Sequence, residues 1–411
     1  MASALRRTLF LSLVCSLSCA SCRETSTRSE AKIQQIEAQI VTSTPLLGVW
    51  GNATPELNEL PEERIWFVGG RASETPGQVH PVIAVYEPQS APEQGQIRLH
   101  FQGDGQGLLW WVWGSGERGQ VWAVGDSGQI LSLETDGEVE TWRATRLEID
   151  DIDQEKLVLW GIWGAKSPSG ELSLFAVGGS VLRGGPRGVL LQRDTQGVWR
   201  RISQPLLPSE DPADPLVGTN LYKVWGDGSQ IWIVGEGSLV LTAQLAWEGS
   251  EAELKNWRDI SPQTDLPELL FTVAGSSSAP QEKSEIWVVG GYAQGKIWSA
   301  QMNNDLTDSW TSYDQLQLPP LNGIAVSQQR IWSVGQRGFI CSWDTTSPPS
   351  PESIRKSILQ GGDLTTLHSV WIDQNNDPWV VGGDLSSLQS GVILTPREWD
   401  GTRPKVQFMS W

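Results

Sequence analysis

The feature of this sequence that most constrains its fold is a short strand-like motif that recurs seven times. Each copy begins with an apolar residue and an aromatic residue, or Pro-Trp in the last copy, and ends on Val-Gly; successive copies are roughly 50 residues apart. The copies are Ile65–Gly69, Val121–Gly125, Leu174–Gly178, Ile231–Gly235, Ile286–Gly290, Ile331–Gly335 and Pro378–Gly382. Such regular recurrence is typical of a repeat protein in which each copy belongs to one supersecondary unit.

A second motif, with Val-Trp-Gly as its clearest form, precedes each of these copies. It reads Gly48–Gly51, Val112–Gly114, Ile162–Gly164 and Val224–Gly226, and then in weaker form Val273–Gly275, Ile324–Val326 and Val370–Trp371. A short turn and a further apolar run follow each copy of the first motif, and many repeats then close on an aromatic residue. Four short strands per repeat predict an all-β fold, a seven-bladed β-propeller of four-stranded antiparallel blades over residues 45–411.

The composition agrees with strands rather than helices. The chain contains 23 Trp, 43 Gly and 24 Pro, and the motif segments are short and bounded by Gly, whereas helices need about ten or more residues. A Trp repeated at equivalent strand positions buries a large apolar surface between neighbouring blades. We therefore interpret the strand tryptophans as core residues before considering them as ligand platforms.

The first 21 residues have the pattern of an export signal. Arg6 and Arg7 precede an apolar stretch, Thr8–Leu17, which is shorter than the roughly 20 residues that a membrane-spanning helix needs. The following Cys19–Cys22 segment resembles a bacterial lipoprotein cleavage box, although Cys19 stands where Leu is usual. This resemblance implies lipidation of Cys22, and an ordinary secretory signal is the alternative. Arg23 after Cys22 implies sorting to the outer membrane, facing the periplasm or the cell surface.

Residues 22–44 are expected to form a lipidated, polar tether. Ile33, Ile36 and Ile40 within it could belong to a short helix or add a strand to the propeller, and the sequence leaves both alternatives open. Cys341 is the one cysteine in the predicted propeller, so no disulfide framework is expected if Cys22 is lipidated.

The paired motifs resemble those of exported tandem-repeat propeller lipoproteins from myxobacteria-like bacteria. Val112–Leu131 is the closest copy of their V-W-G…V-W-A-V-G pattern, and Ile286–Tyr292 has a looser similarity to kelch repeats. The resemblance covers about residues 45–411. It implies the propeller fold and says little about function, because propellers of this kind host many functions.

A search for catalytic or metal-binding patterns finds none that is complete. His80, His100 and His368 are widely separated, and Asp373–Asp377 resembles the start of a calcium loop but is followed by Pro378 instead of the required Gly. We therefore expect no catalytic residues, no metal site and no cofactor. The net charge of −18 opposes binding to nucleic acid.

Long connections between blades point to one face of the propeller as the place where a partner binds. The most acidic of them contains Glu148, Asp150, Asp151, Asp153 and Glu155, which we predict to be a partner-binding loop. The alternative is a solvated acidic loop or a cation site.

The leading functional hypothesis is a non-enzymatic binding or scaffold lipoprotein of the cell envelope, with a protein or glycan partner. A second hypothesis is a carbohydrate-binding propeller that uses Trp110 and Trp298 as sugar platforms, because both lie outside the main strand motifs. A third is a propeller hydrolase or lyase, which would need paired carboxylates facing one another across the channel.

Overall fold

The computed structural model describes residues 34–36, 40–52, 64–88, 94–105, 107–150, 152–202, 219–276, 284–302, 310–361, 365–373, 376–394 and 405–408. Within these ranges the chain forms seven sheets, each built on four antiparallel strands, together with three short 3-10 helices. The predicted all-β, seven-bladed propeller is therefore confirmed. No helix in the described ranges is long and apolar enough to cross a membrane.

The blades follow one another along the chain, and each runs from an inner strand to an outer strand. Blade 1 contains Leu46–Gly51, Ile65–Ala72, Val79–Pro88 and Gln94–Gln102, and blade 2 contains Leu109–Gly114, Val121–Gly125, Ile130–Asp136 and Val139–Thr145. Blade 3 contains Val158–Lys166, Leu172–Gly179, Val189–Arg193 and Trp199–Arg201, and blade 4 contains Leu221–Gly226, Gln230–Gly235, Val240–Glu248 and Glu251–Asp259. Blade 5 contains Leu270–Gly275, Ser284–Gly290, Lys296–Met302 and Thr311–Ser312, and blade 6 contains Leu321–Val326, Arg330–Gly335, Phe339–Asp344 and Arg355–Leu359. The 3-10 helices are Gln154–Lys156, Asp314–Leu316 and Gln336–Gly338.

Blade 7 is assembled from both ends of the chain, and this closes the ring. Its inner three strands are Thr366–Ile372, Pro378–Gly383 and Gly391–Leu394, and its outer strand is Ile40–Thr42, which pairs antiparallel with Gly391–Leu394. The inner strands of consecutive blades contact one another all the way round, including blade 7 with blade 1. Residues 40–42 therefore form a strand of the propeller, and the propeller begins before the predicted boundary at residue 45.

Two further short strands cover the outer edges of blades 6 and 1, which lie on either side of blade 7. Gln34–Ile36 lies parallel to Arg355–Leu359 of blade 6, and Lys405–Phe408 lies parallel to Gln94–Gln102 of blade 1. The sequence left a helix and a strand open for the segment that contains Ile36 and Ile40, and both of these residues lie in strands. Covering these edges satisfies backbone groups that would otherwise be open to pairing with other chains.

The tryptophan of the Val-Trp-Gly motif packs against the glycine of the same motif in the next blade. A Cβ on Gly275, for example, would lie 2.5 Å from Cη2 of Trp225 in blade 4, so only Gly leaves room for the indole. The same contact joins Trp371 to Gly51, Trp50 to Gly114, Trp113 to Gly164 and Trp163 to Gly226.

The two exceptions to this pattern follow from the same geometry. Blades 5 and 6 carry Ala274 and Ala325 in place of Trp, and the next blade then carries Val326 and Ile372 in place of Gly. A larger residue at the glycine position thus accompanies a smaller one at the tryptophan position, which keeps the volume between blades nearly constant. The weak motifs of blades 5 to 7 are a consequence of packing.

Candidate functional site

Every inner strand of the propeller contains a β-bulge near its start, at the third residue in blades 3 and 7 and at the second residue in the other five blades. The register between the inner and second strands shifts there in all seven blades. A bulge adds a residue to one strand and re-aims its side chain, and bulges are common beside functional sites. We call the bulge residues the mouth ring: Leu47, Trp110, Trp160, Tyr222, Phe271, Asn322 and His368.

The mouth ring lies at the end of the central channel where the inner strands begin. Because the strands of a blade alternate in direction, this face also carries the turns between second and third strands and the connections between blades. We call it the mouth face.

Four consecutive blades contribute aromatic residues to the mouth ring, and we call this set the aromatic arc: Trp110, Trp160, Tyr222 and Phe271. The ring centroids of Trp160 and Tyr222 are 5.2 Å apart in an edge-on arrangement, and those of Tyr222 and Phe271 are 5.4 Å apart. All four side chains are half-buried. The arc is therefore a preorganised apolar wall that remains accessible from the channel mouth.

Carboxylates fix the orientation of two members of the arc. The Nε1–H of Trp110 donates to Oδ1 of Asp126 at 2.8 Å, and the hydroxyl of Tyr222 donates to Oε1 of Glu236 at 3.0 Å. Asp126 and Glu236 occupy the same position, directly after the glycine that ends the second strand of their blades. Burial raises the pKa of Tyr222 well above its usual value and Glu236 raises it further, so the hydroxyl stays protonated.

Below the mouth ring, a lysine side chain runs along the inner edges of three neighbouring blades. Lys223 belongs to the inner strand of blade 4, and its Nζ lies 3.0 Å from the ring centroid of Trp111 in blade 2 and 3.3 Å from the carbonyl oxygen of Trp160 in blade 3. A side chain that reaches from blade 4 to blade 2 must pass the inner edge of blade 3, where Gly161 lies against the Lys223 Cα. Burial lowers the pKa of Lys223 well below its usual value.

The opposite side of the mouth ring is polar. His368 of blade 7 is half-buried, and its Nε2 is inaccessible to solvent and has no hydrogen-bond partner within the described part of the chain. Burial lowers the pKa of His368 to about 4, so the imidazole is neutral at physiological pH. Asn322 of blade 6 donates from Nδ2 to the carbonyl oxygen of Leu367 at 3.1 Å, which ties blade 6 to blade 7.

The predicted partner-binding loop lies on the mouth face and is held in place by apolar anchors. Leu147, Ile152 and Leu157 are buried at 3%, 7% and 0% exposure in the core between blades 2 and 3. The acidic side chains between them point outward: Glu148, Asp150, Asp153 and Glu155 are all exposed, and Asp151 lies outside the described residues. Asp153 pairs with Lys156 at 2.7 Å, and a hydrogen bond from Lys156 lowers the pKa of Asp153.

This loop is continuous with the mouth ring. The Gly128 amide donates to the Leu157 carbonyl at 2.8 Å, and Asp126 forms a bridge to Val158. The turn that contains Asp126 thus contacts the loop on one side and holds Trp110 on the other. The structure brings the predicted loop and the predicted platform Trp110 together on one face.

Trp298, the other predicted sugar platform, lies elsewhere. It is 3% exposed and packs in the core between blades 4 and 5 with Trp232 and Ile286. A buried indole presents no face to a sugar, so the structure does not support a platform at Trp298. The strand tryptophans at the second-strand position are likewise core residues, with Trp66 at 2% and Trp232 at 0% exposure.

A cavity of about 390 Å³ opens on the opposite face, between blades 1 and 2. Trp50, Arg118 and Glu138 line it, and an ionic network forms its wall. In that network Arg64 contacts Glu140 at 2.6 Å, and His100 lies 3.3 Å from the same carboxylate. The remaining members are Glu87, Arg98, Arg118 and Trp142.

The geometry of this network sets the tautomer of His100. Trp142 Nε1–H donates to Nδ1 of His100 at 3.0 Å, so Nδ1 is the unprotonated nitrogen and Nε2–H faces Glu140. Burial lowers the pKa of His100, which favours this neutral form. The network therefore joins the outer strands of two blades without a protonated histidine.

Of the cysteines singled out in the sequence, the structure describes Cys341. Cys22 lies outside the described residues. Cys341 is buried and free, and burial raises the pKa of its thiol to about 12. Within the described ranges, no three His, Cys, Asp or Glu side chains are grouped as a metal site would require.

The fold and these sites define a seven-bladed β-propeller with an aromatic channel mouth, and comparison with known proteins agrees on the fold. No protein-family model matches the sequence, and no curated protein matches it. Among solved structures it is similar to Sqt1 of Chaetomium thermophilum bound to the N-terminus of ribosomal protein L10, with 10% identity and a TM-score of 0.54 over 87% of this chain and 99% of that one. A structure of Sqt1 alone gives 9% identity and a TM-score of 0.54 over 86% of this chain and 96% of that one. At such identity the similarity establishes the fold alone.

Proposed function

We propose that the protein is an exported lipoprotein of the bacterial cell envelope that acts as a non-enzymatic binding or scaffold propeller. The export pattern of residues 1–21 and the cleavage box before Cys22 support export and a lipid anchor in the outer membrane. The propeller fold supports a binding role, and Sqt1, which has a similar fold, is bound to the N-terminus of another protein. The lipid would hold the chain at the membrane while the propeller engages a protein partner.

The partner binds on the mouth face and contacts the acidic loop between blades 2 and 3. The observation that carries this proposal is the construction of that loop, in which three buried apolar residues hold four exposed carboxylates beside the aromatic arc. Fixed charges lose little conformational freedom on binding, so they favour association more than mobile ones do. A surface of this kind is complementary to a basic segment of a partner protein.

Affinity capture from solubilised envelope tests this proposal. The tagged full chain serves as bait, and a variant with Glu148→Lys and Asp150→Lys reverses the charge at two exposed positions of the loop while retaining its buried anchors. The matched control, Glu251→Lys with Glu253→Lys, makes the same change in charge on the exposed outer strand of blade 4. We expect a stoichiometric protein partner with the native chain and the control but not with the loop variant. Equal capture by all three chains contradicts a role for the loop.

Carbohydrate binding is the second candidate function, and the cavity between blades 1 and 2 favours it. Trp50 supplies an indole there, and Arg118 and Glu138 supply the planar polar groups that sugar hydroxyls bind. Trp110 at the channel mouth remains the alternative platform.

Glycan binding by the full chain, compared with its Arg118→Ala and Trp110→Ala variants, separates the two positions. Loss of binding with Arg118→Ala assigns the cavity, and loss with Trp110→Ala assigns the mouth. A chain that binds no glycan excludes this candidate.

A further inference from the structure

The ammonium group of Lys223 is unusual in what surrounds it. It is buried, and its contacts are the face of Trp111 and one backbone carbonyl oxygen. No carboxylate in the described ranges forms an ion pair with it. Buried charges in proteins are nearly always paired, because desolvation of an unpaired ion is costly. A cation–π contact and one carbonyl provide only part of the stabilisation that an ion pair would give.

The channel around Lys223 is otherwise lined by small residues. The seven inner strands contribute one residue each at this level, directly after the bulge: Gly48, Trp111, Gly161, Lys223, Thr272, Gly323 and Ser369. Trp111 and Lys223 are the only large side chains among them. We call this level the floor of the channel mouth; Lys223 and Trp111 occupy it beside blades 2, 3 and 4.

The aromatic arc forms the wall above this floor. Trp160 and Tyr222 each directly precede a floor position, Gly161 and Lys223, so their side chains lie one residue nearer the mouth. The arc is half-buried and thus open to an entering molecule, and Asp126 and Glu236 hold two of its rings in fixed orientations. On the far side of the mouth, the neutral His368 leaves its Nε2 without a partner in the described structure.

From this arrangement we propose that the channel mouth binds a small aromatic carboxylate. Its carboxylate pairs with the Lys223 ammonium at the floor, and its ring packs against Trp160, Tyr222 and Phe271. The ligand supplies the counter-charge that the protein lacks, and its ring replaces water on the apolar wall. This site shares the mouth face with the acidic loop but uses different residues, and its occupancy does not depend on the partner proposed above.

Other classes of ligand fit the geometry less well. A neutral sugar provides no charge for Lys223, and a basic side chain is repelled by it. An inorganic anion could pair with the ammonium but leaves the aromatic wall in contact with water. The combination of an apolar wall and a buried ammonium group is complementary to a molecule that carries both a ring and one negative charge.

Calorimetric titration of the full chain in detergent tests the proposal with 2-naphthoate as the probe. The neutral isostere 2-naphthamide has the same ring system without the charge. We expect 2-naphthoate to bind at least tenfold more tightly than 2-naphthamide. Equal affinity for the two probes, or no binding of 2-naphthoate at millimolar concentration, overturns the proposal, and this comparison needs no variant of the protein.

Two variants then locate the site. Lys223→Met keeps an unbranched side chain over Trp111 and removes the charge, and Lys255→Met removes an exposed lysine from the outer strand of the same blade. We expect Lys223→Met to weaken 2-naphthoate binding at least tenfold, with 2-naphthamide unchanged, and Lys255→Met to bind both probes like the native chain. Unchanged 2-naphthoate affinity in a folded Lys223→Met variant places the probe elsewhere and overturns the assignment.

Discussion

The packing of tryptophan against glycine between neighbouring blades can be tested at the contact between Trp225 of blade 4 and Gly275 of blade 5. A Cβ at position 275 would lie 2.5 Å from the indole, well inside the 3.5–4.0 Å at which carbon atoms attract one another. Gly275→Val is therefore expected to destabilise the protein by about 1–3 kcal/mol through overpacking. Trp225→Ala, which removes a half-buried indole stacked on Trp232, is expected to cost about 3 kcal/mol.

The double variant should be less destabilised than the sum of the two single variants. It reproduces the pair that joins blades 5 and 6, where Ala274 faces Val326, so the valine fills space that the indole vacates. We expect a favourable coupling of about 1–3 kcal/mol between the two substitutions. Urea unfolding followed by far-ultraviolet circular dichroism measures the four free energies of unfolding.

The control combines Gly275→Val in blade 5 with Trp371→Ala in blade 7. The second substitution removes an indole that packs on Gly51 of blade 1, at a different interface between blades. These two substitutions share no contact, so their effects should add within about 0.5 kcal/mol. Additive effects for Trp225 with Gly275, or coupling of equal size in the control pair, would refute the packing argument.

Three further predictions concern titration, anchoring and reactivity. His368 has a pKa of about 4 in the folded chain, below its unfolded value near 6.5, so its contribution to stability is complete above pH 6.5 and is lost as pH falls towards 4, by as much as about 3 kcal/mol. Urea unfolding of His368→Gln at pH 7 and pH 4.5 should therefore depend less on pH than that of the native chain, and an equal dependence would contradict the assignment. Cys22→Ser should abolish metabolic labelling by an alkyne analogue of palmitate, while Cys19→Ser leaves the label in place; label retained in Cys22→Ser would exclude this anchor. In a variant with Cys15, Cys19 and Cys22 replaced by Ser, Cys341 should react with iodoacetamide only after unfolding, since burial raises the pKa of its thiol to about 12, and rapid alkylation of the folded chain would show that the thiol is accessible.

The repeat motifs were sufficient to predict the blades because the same pattern of burial recurs in each. Val124 and Val234, for example, occupy one position of the motif and are both fully buried. Closure of the ring could not be predicted in the same way. Ile40–Thr42 is only three residues long, carries no repeat motif and pairs with residues near the other end of the chain, as Val41 does with Val392.

Part of the candidate site has a signal in the sequence. Each mouth-ring residue lies three positions before the tryptophan position of the Val-Trp-Gly motif, as Trp110 precedes Trp113 and Tyr222 precedes Trp225. Alignment of the repeats on that motif therefore reveals the aromatic arc. Lys223 has no such signal, because its contacts with Trp111 and Trp160 arise only when the inner strands of blades 2, 3 and 4 come together in the folded ring.

The prediction of a sugar platform at Trp298 was wrong, because the indole is buried. Trp298 lies on the third strand of blade 5, opposite Val288 of the second strand, and its side chain points into the interface with blade 4. The sequence motifs mark the first two strands of each blade most clearly, so the orientation of a side chain on the third strand depends on register that the motifs do not specify.

Photocrosslinking in intact cells tests the central claim, that a protein partner binds the mouth face at the acidic loop, most directly. The photoreactive residue p-benzoylphenylalanine replaces Glu148 in the loop or, as the control, Glu251 on the outer strand of blade 4; both side chains are exposed. The account predicts a discrete crosslinked protein from position 148 and none from position 251. A crosslink from position 251 alone, or none from either position, would contradict it.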